Sequence, residues 1–177
     1  MKQGNCPNME ITKANIGDID ILVSLSRKTF YESFHHLNKP ENMDAYMDKA
    51  FAFERLLSEL RNENSEFYFL QNDKEIAGYL KINMKEAQTE FKGDSSLEIE
   101  RIYISESYQS NGYGTDLLNK VKEIAATSGV KYIWLGVWEK NPAAIRFYER
   151  NGFNVFSEHE FQMGDEVQMD KLMICKL

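Results

Sequence analysis

The chain has 177 residues and a formal net charge of −7 at pH 7, from 21 Lys and Arg against 28 Asp and Glu. This length suits one domain, and the acidic balance argues against a nucleic-acid surface over the whole molecule, although a local basic patch stays open. Hydrophobic residues make up 42% of the chain, so it has enough apolar surface to offset the entropy of folding.

The N-terminal half is predicted to hold one strand and three helices. Residues 1–8 are expected to form a flexible leader, polar and without the apolar segment of a signal peptide, and Met9 is an alternative start. A single domain is expected over residues 9–177. The apolar spacing predicts a strand over 9–13, a helix from residue 18 to about 34, a second helix from Pro40 and a third around 53–60.

The C-terminal half alternates strands with two further helices. The predicted elements are a hairpin of strands 67–70 and 76–84, a loop over 85–96, a strand over 97–104, a loop over 105–113, a helix over 115–127, a strand over 130–138, a helix from 142 to about 150, and a final hairpin over 153–161 and 167–176. The order β-α-α-α-β-β-β-α-β-α-β-β indicates a mixed α/β fold, a twisted sheet of about six or seven strands flanked by helices. The helix over 115–127 suits a right-handed crossover between two parallel strands.

A glycine-bearing loop, Tyr-Gln-Ser-Asn-Gly-Tyr-Gly-Thr at residues 108–115, joins a predicted strand to a predicted helix. Gly112 and Gly114 allow the backbone to approach a ligand closely, and unpaired amides at the helix start favour a phosphate or pyrophosphate. The loop is neither a P-loop, since Gly-Lys-Ser/Thr is missing, nor a dinucleotide fingerprint, since the third glycine is missing. An ordinary glycine-rich turn is the alternative.

A second segment, residues 141–153, begins with Asn-Pro and ends with Asn-Gly-Phe. Taken alone, it is a capped amphipathic helix with core aromatics. Together the two segments resemble the GNAT acetyltransferases, because Gln-x-x-Gly-x-Gly and Asn-Pro-x-Ala-x-x-Phe-Tyr-x-x-x-Gly-Phe follow the family's order and spacing. The resemblance spans roughly residues 9–177 and implies a GNAT-like fold. Scattered residues, among them Thr29-Phe30, Phe34, 46–51 and 78–81, resemble the PaiA-type spermidine/spermine acetyltransferases.

The resemblance implies acetyl-CoA as cosubstrate and a primary amine as acceptor. It places the pyrophosphate on the loop residues Gln109, Ser110, Asn111, Gly112, Tyr113, Gly114 and Thr115. The pantetheine arm pairs with the backbone of Ile102, Tyr103 and Ile104 and contacts Asn141, although a helix N-cap explains that Asn equally well. The strand over 130–138 splays away and leaves a slot for the thioester.

Acetyl transfer to an alkylamine of pKa about 10 requires removal of a proton from nitrogen and favours protonation of the leaving sulfur. Glu98 and Glu100 alternate onto one face of the strand over 97–104. Glu98 stands where the family often has its general base, with Glu100 as the alternative. The alternative for both residues is that they are merely solvated carboxylates, or that they attract the cationic amine without taking its proton. Tyr148 matches the family tyrosine that donates to the sulfur, and core packing is its alternative.

The acceptor is expected to be a polyamine such as spermidine or spermine. Residues 41–66 hold seven acids against three bases, and residues 157–170 hold five acids and no Lys or Arg, which suits a polycation. An ordinary solvated acidic surface explains the same composition. A protein or peptide N-acetyltransferase and a catalytically weak CoA-binding regulatory protein are the alternatives.

The remaining expectations concern mechanism and partners. Neither Cys6 nor Cys175 belongs to a motif, so we expect direct transfer in a ternary complex and no metal site. The longest apolar run, residues 133–138, is far too short to cross a membrane, and two cysteines near opposite ends suit a reduced, cytoplasmic protein. Neither nucleic acid nor membrane is an expected partner, and a homodimer stays open.

Overall fold

A computed structural model describes residues 9–90 and 94–177, so the leader predicted for residues 1–8 lies outside the described residues. The strands are β1 (Met9–Lys13), β2 (Ser65–Asn72), β3 (Glu75–Met84), β4 (Ser96–Ile104), β5 (Tyr132–Trp138), β6 (Asn154–Met163) and β7 (Glu166–Lys176). The helices are α1 (Ile19–Phe34), α2 (Pro40–Ala50), α3 (Phe53–Arg61), α4 (Tyr113–Ser128) and α5 (Pro142–Arg150). The predicted order of elements is confirmed.

The described strands form one sheet in the order β1-β2-β3-β4-β5-β7-β6. Neighbouring strands are antiparallel except β4 and β5, which pair in parallel from Ser96 with Tyr132 to Ile99 with Leu135. Two parallel neighbours need a long connection, which α4 supplies. The predicted mixed α/β fold with a central sheet is therefore confirmed.

Helices cover both faces of the sheet. On one face α4 buries Leu117 and Val121, while on the other α1 and α3 bury Leu22 and Leu56. Because both faces are covered, most side chains of β3 and β4 are buried, and these strands are the rigid base on which the site is built.

The start of α4 differs by two residues from the predicted helix. Gly112 adopts a left-handed conformation with φ of 85° and takes the N-cap position. Its carbonyl accepts from the amides of Thr115 and Asp116 at 2.8 and 3.2 Å. Helical bonding therefore starts from Gly112, and the glycine-bearing loop leads directly into the first turn of α4.

A β-bulge in β4 determines which side chains face the site. Lys81 of β3 pairs with Arg101, but the next residue, Ile82, pairs with Ile99, so Glu100 is the extra residue. The bulge reverses the alternation of the strand. Its apolar residues on both sides of the bulge consequently pack in the same core, namely Leu97, Ile99, Ile102 and Ile104.

Candidate active site

A cavity of ≈ 640 Å³ lies between the carboxyl ends of β4 and β5 and the first turns of α4 and α5. Most of the residues predicted for the site line it: Ile102, Tyr103, Ile104, Gln109, Ser110, Gly112, Tyr113, Gly114, Thr115, Asn141 and Tyr148. Two predicted residues, Asn111 and Glu98, are not part of its lining. The fold thus brings together two sequence segments that are separated by a strand and a helix.

The slot at this cavity arises because β4 and β5 separate. Their pairing ends at Ile99 and Leu135, whereas the strands run on to Ile104 and Trp138. The opposite edge of β4 stays paired with β3 through Ile104. The backbone groups of residues 102–104 that face β5 consequently have no partner in that strand. This is where the resemblance places the pantetheine arm.

The loop before α4 forms an anion cradle. Ser110 and Gly112 both have positive φ, 66° and 85°, which turns successive amides toward one side. Within the described chain, the amides of residues 110–114 donate no hydrogen bond to the protein. These free donors lie at the positive end of the α4 dipole and lead into the cavity. Their arrangement suits a phosphate or pyrophosphate.

Two amide side chains hold this loop in shape. Gln109 Nε2 donates to the carbonyl of Ile104 at 3.1 Å, which ties the loop to the end of β4. Asn111 Nδ2 donates to the carbonyls of Tyr108 and Gln109 at 3.0 and 3.2 Å. The side chain of Asn111 therefore supports the loop from within instead of lining the cavity.

Helix α5 contributes Asn141 and Tyr148. Asn141 Oδ1 accepts from the amide of Ala144 at 3.1 Å, so the residue caps the helix and also lines the cavity. Tyr148 is 7% exposed and lines the cavity. Burial raises the pKa of Tyr148, so its hydroxyl keeps its proton at neutral pH and is available as a donor.

Glu98, the predicted general base, is 3% exposed and has its oxygens engaged by neighbours. The amide and hydroxyl of Thr89 donate to its carboxylate, as does Asn83 Nδ2 at 3.0 Å. Burial raises the pKa of Glu98, and the bonds from Thr89 and Asn83 partly offset that rise. Its role as base stays a prediction, because its place outside the lining leaves only an indirect route to the acceptor.

Glu100, the alternative base, lines the cavity and belongs to a buried ion network. Lys81 Nζ lies 2.5 Å and Arg101 Nη2 3.1 Å from its carboxylate oxygens, and both cations also pair with Glu59. Burial opposes ionisation, but Arg101 and Lys81 lower the pKa of Glu100 to about 2. A carboxylate held ionised in this way is a weak proton acceptor at neutral pH.

The remaining wall of the cavity is aromatic. Phe30 stacks on Tyr46 at 4.8 Å between ring centroids, and Phe34 meets Trp138 edge-on at 6.0 Å. The ring of Phe161 closes this wall 5.3 Å from Tyr46. Among the described residues, Trp138 Nε1 is a buried donor without a hydrogen-bond partner. This wall offers apolar surface, ring faces and an unused donor.

One further carboxylate, Asp170 of β7, lines the cavity beside this wall. Burial raises the pKa of Asp170, and the neighbouring His159 partly lowers it. No Lys or Arg is found among the lining residues in the described part of the chain. This side of the cavity is therefore electronegative, whereas the loop side presents amide donors.

Comparisons with known proteins agree with this geometry. Residues 24–153 match the model of the acetyltransferase (GNAT) family. An uncharacterized N-acetyltransferase of Lactobacillus delbrueckii subsp. lactis is 38% identical over 165 residues, which cover 93% of this chain and 95% of the relative.

The chain belongs to the GNAT acetyltransferase family.

The expected likeness to PaiA-type proteins is also confirmed. A spermidine N(1)-acetyltransferase of Thermoplasma acidophilum is 23% identical over 152 residues, covering 84% of this chain and 89% of that protein. The crystal structure of the PaiA N-acetyltransferase from the same organism, in complex with coenzyme A, has a TM-score of 0.79 at 22% identity. It covers 96% of this chain and 99% of that structure, so the two proteins share a fold.

Family membership makes this GNAT protein an N-acetyltransferase with acetyl-CoA as its cosubstrate. Two independent observations show that the residues of the cavity fit acetyl-CoA. Free amides before α4 suit its pyrophosphate, and the unpaired edge of β4 suits its amide-bearing arm. Within residues 9–90 and 94–177, no group of three or more His, Cys, Asp or Glu is placed to hold a metal ion.

The sequence did not predict which residues form the aromatic wall of the cavity in this GNAT protein and the polar side chains beside it. These residues come from five elements and share no motif: Phe30, Ser33, Phe34, Tyr46, Trp138, Phe161, Gln168 and Asp170. Helical spacing identified Phe30 and Phe34 as apolar positions, but spacing does not separate a core side chain from a cavity side chain. Only the pairing of β7 with β5 and β6 brings Asp170 to this place.

The acidic segments predicted to attract a polycation are mostly directed elsewhere. Of the twelve acids in residues 41–66 and 157–170, Asp170 is the one that lines the cavity. Several others form ion pairs, such as Asp48 with Arg27 and Glu66 with Lys13.

No helix in the described part of the chain is both long enough and apolar enough to cross a membrane.

Proposed function

We propose that this protein acetylates the primary amine of a small polycation, such as spermidine or spermine, by direct transfer from acetyl-CoA within a ternary complex. The observation that carries this proposal is the polarity of the cavity lining. Free amides stand on one side, and on the other an aromatic wall with Asp170 stands without a Lys or Arg among the described lining residues. The anionic acetyl-CoA would thus bind on the side of the free amides, and the cationic amine on the side of the aromatic wall and Asp170.

The donor half of the proposal rests on β4, the loop and α5. The amides of residues 110–114 would hold the pyrophosphate, and the β5-facing backbone of residues 102–104 would pair with the pantetheine arm. Asn141, already the N-cap of α5, would contact the same arm. This arrangement orients the thioester toward the place where β4 and β5 separate.

The acceptor half rests on charge and on ring faces. An ammonium group gains from the negative Asp170 and from the faces of Tyr46 and Trp138, while methylene groups gain from the apolar ring surface. An anionic acceptor gains nothing here, because the lining residues supply no cation in the described part of the chain. Relatives named for spermidine acetylation agree with this choice.

Direct transfer follows from the groups present. The neutral amine nitrogen attacks the thioester carbonyl carbon, the carbon–sulfur bond breaks, and the Tyr148 hydroxyl donates to the sulfur as negative charge develops there. Cys175 is buried and is not part of the cavity lining, so it is not placed to form an acetyl-enzyme.

The test is the release of free thiol from acetyl-CoA with a panel of acceptors. We expect turnover with spermidine and spermine, little with neutral or acidic amino acids, and an acetylated polyamine as product by mass spectrometry. A peptide with a free N-terminus is the comparison acceptor. A clear preference for that peptide would replace the polyamine assignment with the protein-acetylation alternative.

Salt gives a second measurement. Since exposed charges are screened over about 8–10 Å at physiological ionic strength, the KM for spermidine is expected to rise as salt is added. The matched control is a monoamine of similar length, whose KM is expected to rise less. Equal salt dependence for both acceptors would remove the argument from charge and leave the acetyltransferase assignment standing.

A further inference from the structure

Asp170 lies directly beside the slot between β4 and β5. On β7 it stands opposite Trp138 of β5 and opposite His159 of β6. A side-chain carbon added to Gly136 would lie 3.5 Å from Asp170 Oδ2, so the carboxylate is close to the backbone of Gly136. Gly136 immediately follows Leu135, the last residue of β5 that pairs with β4. The carboxylate is therefore next to the point where the strands separate.

Behind Asp170, two side chains lead away from the cavity. His159 Nε2 lies 3.7 Å from Asp170 Oδ2, and His159 Nδ1 contacts the carboxylate of Glu90. His159 and Glu90 are not part of the cavity lining, and about a third of each side chain is exposed. The three groups form a row from the cavity to solvent.

The other carboxylates near the slot are committed to different partners. Glu98 accepts from Thr89 and Asn83, and Glu100 pairs with Lys81 and Arg101. Asp170 differs from both, since the partner of its carboxylate among the described residues is a histidine, the side chain that proteins commonly use to shuttle protons.

We propose that Asp170 takes the proton from the acceptor ammonium, and that His159, held by Glu90, passes this proton to solvent. This inference rests on the proposed function and deepens it, because it assigns the proton acceptor within the same site. Asp170 is the catalytic residue in this scheme, and His159 and Glu90 are positioning residues behind it.

The protons balance with the reaction. An ammonium nitrogen loses two protons when it becomes an amide nitrogen. The first goes to Asp170 before attack and leaves by His159 to water as the net proton released. The second leaves nitrogen as the carbon–sulfur bond breaks and replaces the proton that Tyr148 gives to the sulfur, so the sulfur ends as the thiol and Tyr148 ends protonated. No oxidant, reductant or metal takes part.

The pH dependence follows from the groups around Asp170. The other titratable groups that line this side of the cavity are Tyr46 of α2, Glu100 and Tyr103 of β4, and Tyr148 of α5. Trp138 from β5 and the α1 residues Phe30, Ser33 and Phe34 do not titrate. Burial raises the pKa of each tyrosine, and Glu100 stays ionised. Asp170, whose pKa burial raises, is thus the lining carboxylate that no Lys or Arg pairs with in the described part of the chain.

Burial raises the pKa of Asp170, which brings its titration closer to the working pH of a general base. Protonation then removes the base, so kcat/KM should fall on the acidic side. The charge of His159 opposes the rise. Removing His159 should consequently raise the pKa of Asp170 further and move the acidic limb to higher pH.

The experiment compares pH profiles of kcat/KM for spermidine in the full chain, with acetyl-CoA affinity measured by calorimetry. Asp170→Asn is expected to lower kcat/KM by about 10²-fold or more without changing acetyl-CoA affinity. His159→Gln is expected to shift the acidic limb upward and to regain most activity at alkaline pH. Glu160→Gln, an exposed carboxylate on β6, removes the same charge outside the cavity and is expected to behave like the parent protein.

Each result has a definite meaning. A folded Asp170→Asn protein that raises only the KM for spermidine, with an unchanged kcat and acidic limb, overturns the base assignment and makes Asp170 a binding residue. An unshifted limb in His159→Gln overturns the role of His159. If the parent protein acetylates spermidine in either case, the proposed function stands. A parent protein that acetylates no amine overturns the proposed function together with this inference.

Discussion

A charge placed at Gly112 tests the anion cradle most directly. An added side-chain carbon at this residue has no heavy atom within 4 Å, so Asn and Asp both have room there. Its φ of 85° strains any residue with a Cβ, but Asn and Asp tolerate this region best. Gly112→Asn and Gly112→Asp therefore share shape and strain and differ by one negative charge.

The magnitude follows from Coulomb's law. A carboxylate about 5 Å from one phosphate charge, at an effective dielectric constant of about 20–80, costs about 1–3 kcal/mol. This corresponds to an acetyl-CoA Kd about 5- to 150-fold weaker for the Asp variant than for the Asn variant. Added salt should narrow the gap, because the loop is exposed to solvent.

Isothermal calorimetry with acetyl-CoA measures both affinities, and thermal unfolding checks that the two variants are equally folded. Equal affinities in the two folded proteins would refute the placement of the pyrophosphate on residues 110–114. If both variants bind acetyl-CoA equally and more weakly than the parent protein, the cause of the lost affinity is backbone strain at residue 112.

Three further substitutions test other parts of the site. Tyr148→Phe should lower kcat by about 10²-fold with little change in the acetyl-CoA KM, because the hydroxyl acts on charge that appears in the transition state; a near-normal kcat would return Tyr148 to core packing. Glu98→Gln should reduce the free energy of unfolding by about 1–3 kcal/mol in denaturant unfolding, since the Gln NH2 group would face the donors from Thr89. A change in the acidic limb of the pH profile of kcat/KM would instead restore Glu98 as the base. Gly78→Ala should reduce stability by about 1–3 kcal/mol, because its Cβ would lie 2.4 Å from the carbonyl oxygen of Tyr103, and an unchanged melting temperature would contradict the close approach of β3 and β4.

The sequence by itself determined the order of the elements and the donor side of the site. Apolar periodicity, two N1 prolines and capping residues act locally, so the helices and strands could be predicted within a few residues. The loop before α4 and the Asn-Pro helix are short contiguous segments whose chemistry follows from backbone geometry. The sequence alone was therefore enough to predict both segments, although not how they lie relative to each other.

Only the tertiary structure decided which carboxylates line the cavity and which of them are paired with cations. Alternation along β4 placed Glu98 and Glu100 on one face, but it could not show the bulge at Glu100 or the cations that neutralise it. Asp170 lies in no motif, and its position depends on pairing between strands far apart in sequence. Long-range register and burial decide whether a carboxylate is a structural ion pair or a free base, and neither is written in local spacing.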